Sequence, residues 1–162
     1  MKKAPKKCLA LLLCTVLLLS ISLVPANAKS PVKLRVALIS DIHLYPEELA
    51  GGYNEAFQED QYLGRSHEQT PGTLRSALAA IKARASRGEI DYLLIPGDLT
   101  REGERLGHVR LAEILRKFEG ETGVPVAVVP GNHDINNNGA ATFVGGVKEK
   151  VPSVTSAEFR QI

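Results

Sequence analysis

Three short polar clusters hold the residues of this chain that could do chemistry: Asp41-Ile42-His43, Gly97-Asp98-Leu99-Thr100 and Gly131-Asn132-His133-Asp134. Asp41 and His43 stand two apart. On an extended segment that spacing turns both side chains the same way, so a carboxylate and an imidazole can share one cation. Asp98 follows a glycine that permits a tight turn, and its two oxygens are able to bridge a pair of cations. In the third cluster Asn132 offers an amide oxygen, His133 a titratable imidazole, and Asp134 a carboxylate suited to orienting that imidazole. Each cluster alone also reads as an ordinary strand-end turn, with the aspartate as its cap. Together, in this order and each behind an apolar run, they read as half of a two-metal hydrolase site.

The elements that must position them follow from hydrophobic period. Residues 32–40, 92–95 and 124–129 are apolar, β-branched runs bounded by glycine and proline, the pattern of strands buried on both faces in a parallel sheet. Reactive groups gather beyond the carboxyl ends of such strands. Between the first two, Leu74, Ala77, Leu78, Ile81 and Ala85 recur at helical spacing, with Thr73 read as the cap and Gly88 as the stop. A second amphipathic helix is marked by Leu106, Val109, Leu111, Ile114, Leu115 and Phe118 and read as closing at Gly120. Strand, helix, strand, helix, strand predicts a layered α/β domain with right-handed crossovers. Residues 44–70 show no sustained period and read as a long loop over the site, the expected specificity element. Residues 139–162 read as loop with a helix starting near Ser156.

Lys2, Lys3, Lys6 and Lys7 precede an apolar stretch that ends at Ala26-Asn27-Ala28, the layout of an export signal cleaved after Ala28. The domain then occupies residues 29–162, and the product is expected outside the cell or in its envelope. An uncleaved membrane anchor is the rival reading. Of the 20 Lys and Arg the four early lysines leave with the signal, so 16 remain against 18 acidic residues and the net charge becomes −2. A nucleic-acid binder working through a basic field is excluded on that count, and contact with membrane is expected only through the signal. Both cysteines, Cys8 and Cys14, lie in the signal as well. Any metal must therefore be held by oxygen and nitrogen donors.

With all three clusters intact, the chain resembles the calcineurin-like metallophosphoesterases, whose first blocks are Asp-x-His, Gly-Asp with a variable pair, and Gly-Asn-His-Asp or Glu. The fuller strings at residues 40–44, 96–103 and 130–137 are similar to those of a bacterial exported branch. The resemblance implies the family's layered fold, present here as its β-α-β-α-β half. It also implies an enzyme that hydrolyses phosphomonoesters or phosphodiesters with two divalent or trivalent ions, Mn, Fe or Zn. By the same resemblance Asp41 and His43 hold the first metal, Asp98 bridges both, and Asn132 holds the second. A hydroxide bridging the metals attacks phosphorus, and His133, oriented by Asp134, donates a proton or stabilises charge.

Three further histidines, one alone and two in Gly-His-x-His, complete the family's metal shells. The spare histidines here, His67 and His108, stand in no such context and are read as outside the ligand set. The expectation is a truncated member, weakly stable and a poor hydrolase by itself, with a non-catalytic metal-binding remnant as the alternative. A nucleotide-binding α/β domain is disfavoured, since neither Gly-x-Gly-x-x-Gly nor a phosphate-loop turn follows any strand. Substrate identity and oligomeric state are open at this point.

Overall fold

β-Branched and leucine-rich runs pair in parallel to make the centre of the molecule. The computed structural model describes residues 33–61 and 66–162, so the export signal lies outside the described residues. The chain runs β1 (Val36–Leu38), α1 (Glu47–Ala50), α2 (Glu55–Asp60), a 3-10 turn (His67–Gln69) and α3 (Thr70–Ala85). It continues through β2 (Tyr92–Pro96), α4 (Arg105–Thr122), β3 (Val126–Val129), β4 (Ala141–Thr142), β5 (Glu149–Lys150) and α5 (Ser156–Phe159). β1, β2 and β3 form one parallel sheet in that order, with Ala37 opposite Leu93 and Leu94 opposite Ala127. The expected α/β architecture is therefore present, with a helix in each crossover.

Side chains alternate across the sheet. On one face Leu93 and Ile95, with Ala37, Ile39 and Val126, pack against Leu74 and Leu78 of α3 and Leu111, Leu115 and Phe118 of α4. Burying one such leucine contributes about 1.5–3 kcal/mol. The other face carries Val36, Leu38, Tyr92 and Val129, and Leu38 is 64% and Val129 60% exposed. The runs expected to be buried on both faces are thus covered on one. A second cluster, Tyr45, Ala50, Phe57, Ala141 and Phe143, lies beside the first. Arg101 sits over two of its rings, 5.2 Å from Tyr45 and 5.5 Å from Phe143. Its guanidinium pairs with Asp60 and, at 3.3 Å, with buried Glu104.

Several local expectations change. The stretch read as a loop holds α1, α2 and the 3-10 turn, each too short to show a period. Asn54 caps α2 by accepting the Phe57 N–H at 3.1 Å. α3 starts at Thr70 with Pro71 in its first turn, and the Thr73 hydroxyl donates back to the Gln69 carbonyl at 3.1 Å, so Thr73 lies inside the helix. Gly88, at φ 66, does end the turn after α3, donating to the Ala85 carbonyl at 2.8 Å. Gly120 lies within α4, which stops at Gly123, where φ is 69. β4 and β5 pair as a short antiparallel hairpin where only loop was expected. α5 begins at Ser156 as expected, behind a capping box between Thr155 and Glu158. Among the described residues no helix is long and apolar enough to cross a membrane.

Candidate metal centre

The carboxyl ends of β1 and β2 continue as two parallel loops laced by backbone bonds. The N–H groups of Asp41, His43 and Leu44 donate to the carbonyls of Gly97, Asp98 and Leu99 at 3.4, 2.9 and 3.0 Å. This lacing brings the first two clusters together. One ligand atom from each of Asp41, His43 and Asp98 lies within 4.8 Å of the others. His43 Nε2 stands 3.8 Å from Asp98 Oδ2, with both side chains partly open to solvent.

All three residues have positive φ: 55° at Asp41, 44° at His43 and 47° at Asp98. That region is sparsely populated for residues other than glycine and marks a backbone held by its surroundings. Two carboxylates and an imidazole suit a hard or borderline divalent cation, so the residues present fit a metal. Acids packed this closely without a cation between them would repel one another.

The third cluster joins from the end of β3. Gly131 packs so closely on Asp98 that a Cβ there would strike the Asp98 carboxylate and backbone nitrogen. The His133 N–H donates to Asp98 Oδ1 at 3.3 Å, and the His133 ring stands edge-on to His43 at 5.1 Å. Asn132 occupies the turn between them and is exposed. So Asp41, His43, Asp98 and His133 come together, and Asn132 lies on the same turn as His133.

Asp134 does not orient His133. Its carboxylate is fully buried and points back into the fold, accepting the N–H groups of Leu99, Thr100 and Gly131 at 3.0, 2.8 and 2.7 Å and the Thr100 hydroxyl at 2.9 Å. These bonds clamp the second loop to the third. A carboxylate that must satisfy buried backbone donors has no lone pair directed at the neighbouring ring. His133 Nδ1 instead meets the Arg101 carbonyl at 3.0 Å and Glu102 Oε2 at 3.3 Å. Glu102 is anchored in turn by the Asn137 amide at 2.6 Å. The only sequence signal for this partner is an acid four residues beyond Asp98, in a loop otherwise dominated by its turn residues.

His108, read as solvated or half-buried, is fully buried on α4, and its Nε2 lies 2.7 Å from the Asp134 carbonyl. Burial holds its pKa below the ordinary histidine value, against the opposing pull of Asp134. His108 therefore supports the Asp134 clamp and takes no place at the cation site. His67 is buried too and lines a cleft of about 230 Å³ with Asp41, His43, Thr70 and His133.

Comparison with known proteins follows the same lines. Residues 34–158 match the family model described as calcineurin-like phosphoesterase. A protein of Vesicomyosocius okutanii subsp. Calyptogena okutanii (strain HA), described as a probable cyclic nucleotide phosphodiesterase, is 39% identical over 66 residues. That stretch is 41% of this chain and spans 27% of the relative's length. The family is one of hydrolases that use divalent metal ions on phosphate esters. A parallel sheet delivers Asp-x-His, Gly-Asp and Gly-Asn-His-Asp to one edge, and the matched region takes in all three: the chain belongs to the calcineurin-like phosphoesterase family.

Proposed function

We propose that this chain carries the first half of the active site of an exported, two-metal phosphoesterase. The carrying observation is the convergence of Asp41, His43 and Asp98 within 4.8 Å beside His133. Asp41 and His43 hold one ion, Asp98 reaches both, and Asn132 holds the second, with Mn, Fe or Zn as the ions that suit these donors. When bound, such ions supply Lewis acidity at the phosphoryl group and acidify water. His133 faces the scissile phosphate and stabilises charge or donates a proton to the leaving oxygen. Glu102 and the Arg101 carbonyl fix the plane of that ring. Asp134 acts at one remove, by clamping the loops that carry Asp98 and His133.

Phosphodiesters are the substrates we favour, because the relative from Vesicomyosocius okutanii is described as a probable phosphodiesterase. Export rests on the basic and apolar leader before Ala28, and residues 29–162 are the exported part of the chain. The bare face of the sheet favours a second reading alongside: further chain, bringing the family's remaining histidines, is needed for full turnover, and this piece alone is a metal-binding remnant. The test is Mn²⁺ titration by calorimetry together with hydrolysis of bis(p-nitrophenyl) phosphate by the whole gene product. Metal binding abolished by Asp98→Asn, with turnover lost in parallel, supports the enzyme. Metal binding without turnover supports the remnant, and no metal binding at all refutes both.

A further inference from the structure

His67 is built into the cleft rather than left beside it. Its backbone N–H and its Nδ1 both meet one atom, Gln61 Oε1, at 3.0 and 2.8 Å. A backbone N–H can only donate, so the Gln61 atom is the amide oxygen and the Nδ1 facing it carries the proton. In the neutral ring that tautomer makes Nε2 the acceptor nitrogen. The turn is bolted to the first metal loop as well. Thr70 donates its hydroxyl to the His67 carbonyl at 2.9 Å and accepts the Tyr45 N–H, two residues past His43, at 3.3 Å. The His67 ring stands 6.2 Å from that of His43, edge to face. Its nitrogens are not part of the tight set formed by Asp41, His43 and Asp98.

We propose that His67 is a specificity residue that accepts a hydrogen bond from a hydroxyl on the ester's organic group, selecting phosphate esters of hydroxylated alcohols. This rests on the phosphoesterase reading above. An acceptor nitrogen cannot bond an ionised phosphoryl oxygen, which is itself only an acceptor, whereas a hydroxyl supplies the missing proton. The cleft, about 230 Å³, is smaller than a typical drug-sized pocket and suits a short polyol or sugar fragment next to the phosphate. A site that bonds a hydroxyl rejects an analogue lacking it, because the buried acceptor is then left without its donor.

The experiment measures equilibrium binding of ω-hydroxyalkyl phosphates of two to four carbons to the Zn²⁺-loaded full chain. Each is paired with the isostere in which methyl replaces hydroxyl. The expected result is a preference of about tenfold for the hydroxylated member at one length or more. His67→Asn keeps an amide N–H for Gln61 and removes Nε2, and it should reduce the preference to within twofold while Zn²⁺ affinity stays the same. On the wild-type chain, nitrogen NMR of the imidazoles should show His67 protonated at Nδ1 and its Nε2 signal moving when the hydroxylated phosphate binds.

A preference retained in His67→Asn, or an Nε2 that is protonated and unmoved, overturns the proposal. A fall in Zn²⁺ affinity in His67→Asn overturns it in favour of a metal-ligand role. Wild-type chain that binds Zn²⁺ and every phosphate without preference refutes His67 alone; chain that binds neither refutes the phosphoesterase reading with it.

Discussion

Asp98 and Asp134 are the same side chain in the same kind of place, a glycine-containing loop beyond a parallel strand, and the fold uses them in opposite ways. Asp98 keeps one oxygen on the His133 N–H and leaves the other facing His43 in a partly open cleft. Asp134 is sealed from solvent, and three backbone donors and a hydroxyl saturate its oxygens. What separates a reactive carboxylate from a structural one here is the number of internal donors aimed at it. The comparison places folding energy on one aspartate and chemistry on the other.

The widest gap should appear in Asp134→Ala. It strands the N–H groups of Leu99, Thr100 and Gly131, at about 1–3 kcal/mol for each buried donor left without a partner. A loss of roughly 3–5 kcal/mol is expected in urea unfolding of the metal-free chain, whereas Asp98→Asn should change it by less than about 0.5 kcal/mol. Equal stabilities would erase the distinction.

Next comes Asp98→Asn itself, which should weaken Mn²⁺ binding by about 100-fold or more in calorimetry, since a neutral amide replaces the carboxylate shared between cations. Glu102→Ala sharpens the same contrast one step out. It should lower kcat on bis(p-nitrophenyl) phosphate by about tenfold and leave Mn²⁺ affinity alone, because it frees the His133 ring without touching a ligand. A change in metal affinity instead would make Glu102 part of the cation site.

The smallest effect belongs to His108→Gln, about 1 kcal/mol of stability at neutral pH. The neutral buried ring of His108 takes a proton less readily than the unfolded chain does, so its contribution is complete above about pH 6.5 and shrinks as pH falls below that. The stability difference between wild type and His108→Gln should therefore narrow from about pH 7.5 to about pH 5.5 in denaturant titrations. A difference that widens toward acid would mean the ring is charged in the folded state.

Much of this was legible in the residues. Apolar runs located all three strands, and the stripes through Leu74 and Leu78 and through Leu111, Leu115 and Phe118 located the two long helices, because burial imposes a period that sequence displays. Their ends were harder to read. Thr73 and Gly120 are good cap residues standing inside helices whose ends are set by Pro71 and by Gly123 with its positive φ. The helices at Glu47–Ala50 and Glu55–Asp60 are shorter than two turns and depend on tertiary packing around Tyr45, Phe57 and Phe143.

At the site, residue type and spacing picked out Asp41, His43, Asp98 and His133. The split between Asp134 and Glu102 was hidden, because which acid meets an imidazole depends on where backbone donors fall in space. His67 was hidden for a related reason: its place is fixed by Gln61 and Thr70, which only the fold brings to bear on it.

The left-handed backbone at Asp41, His43 and Asp98 has a consequence for anyone seeking a hardier version of this protein. Each of these positions forgoes about 1 kcal/mol or more that glycine would recover at the same φ. A screen that rewards heat tolerance alone would drift toward glycine at these three places and discard cation binding as it went. Selection would have to score both properties at once to keep them.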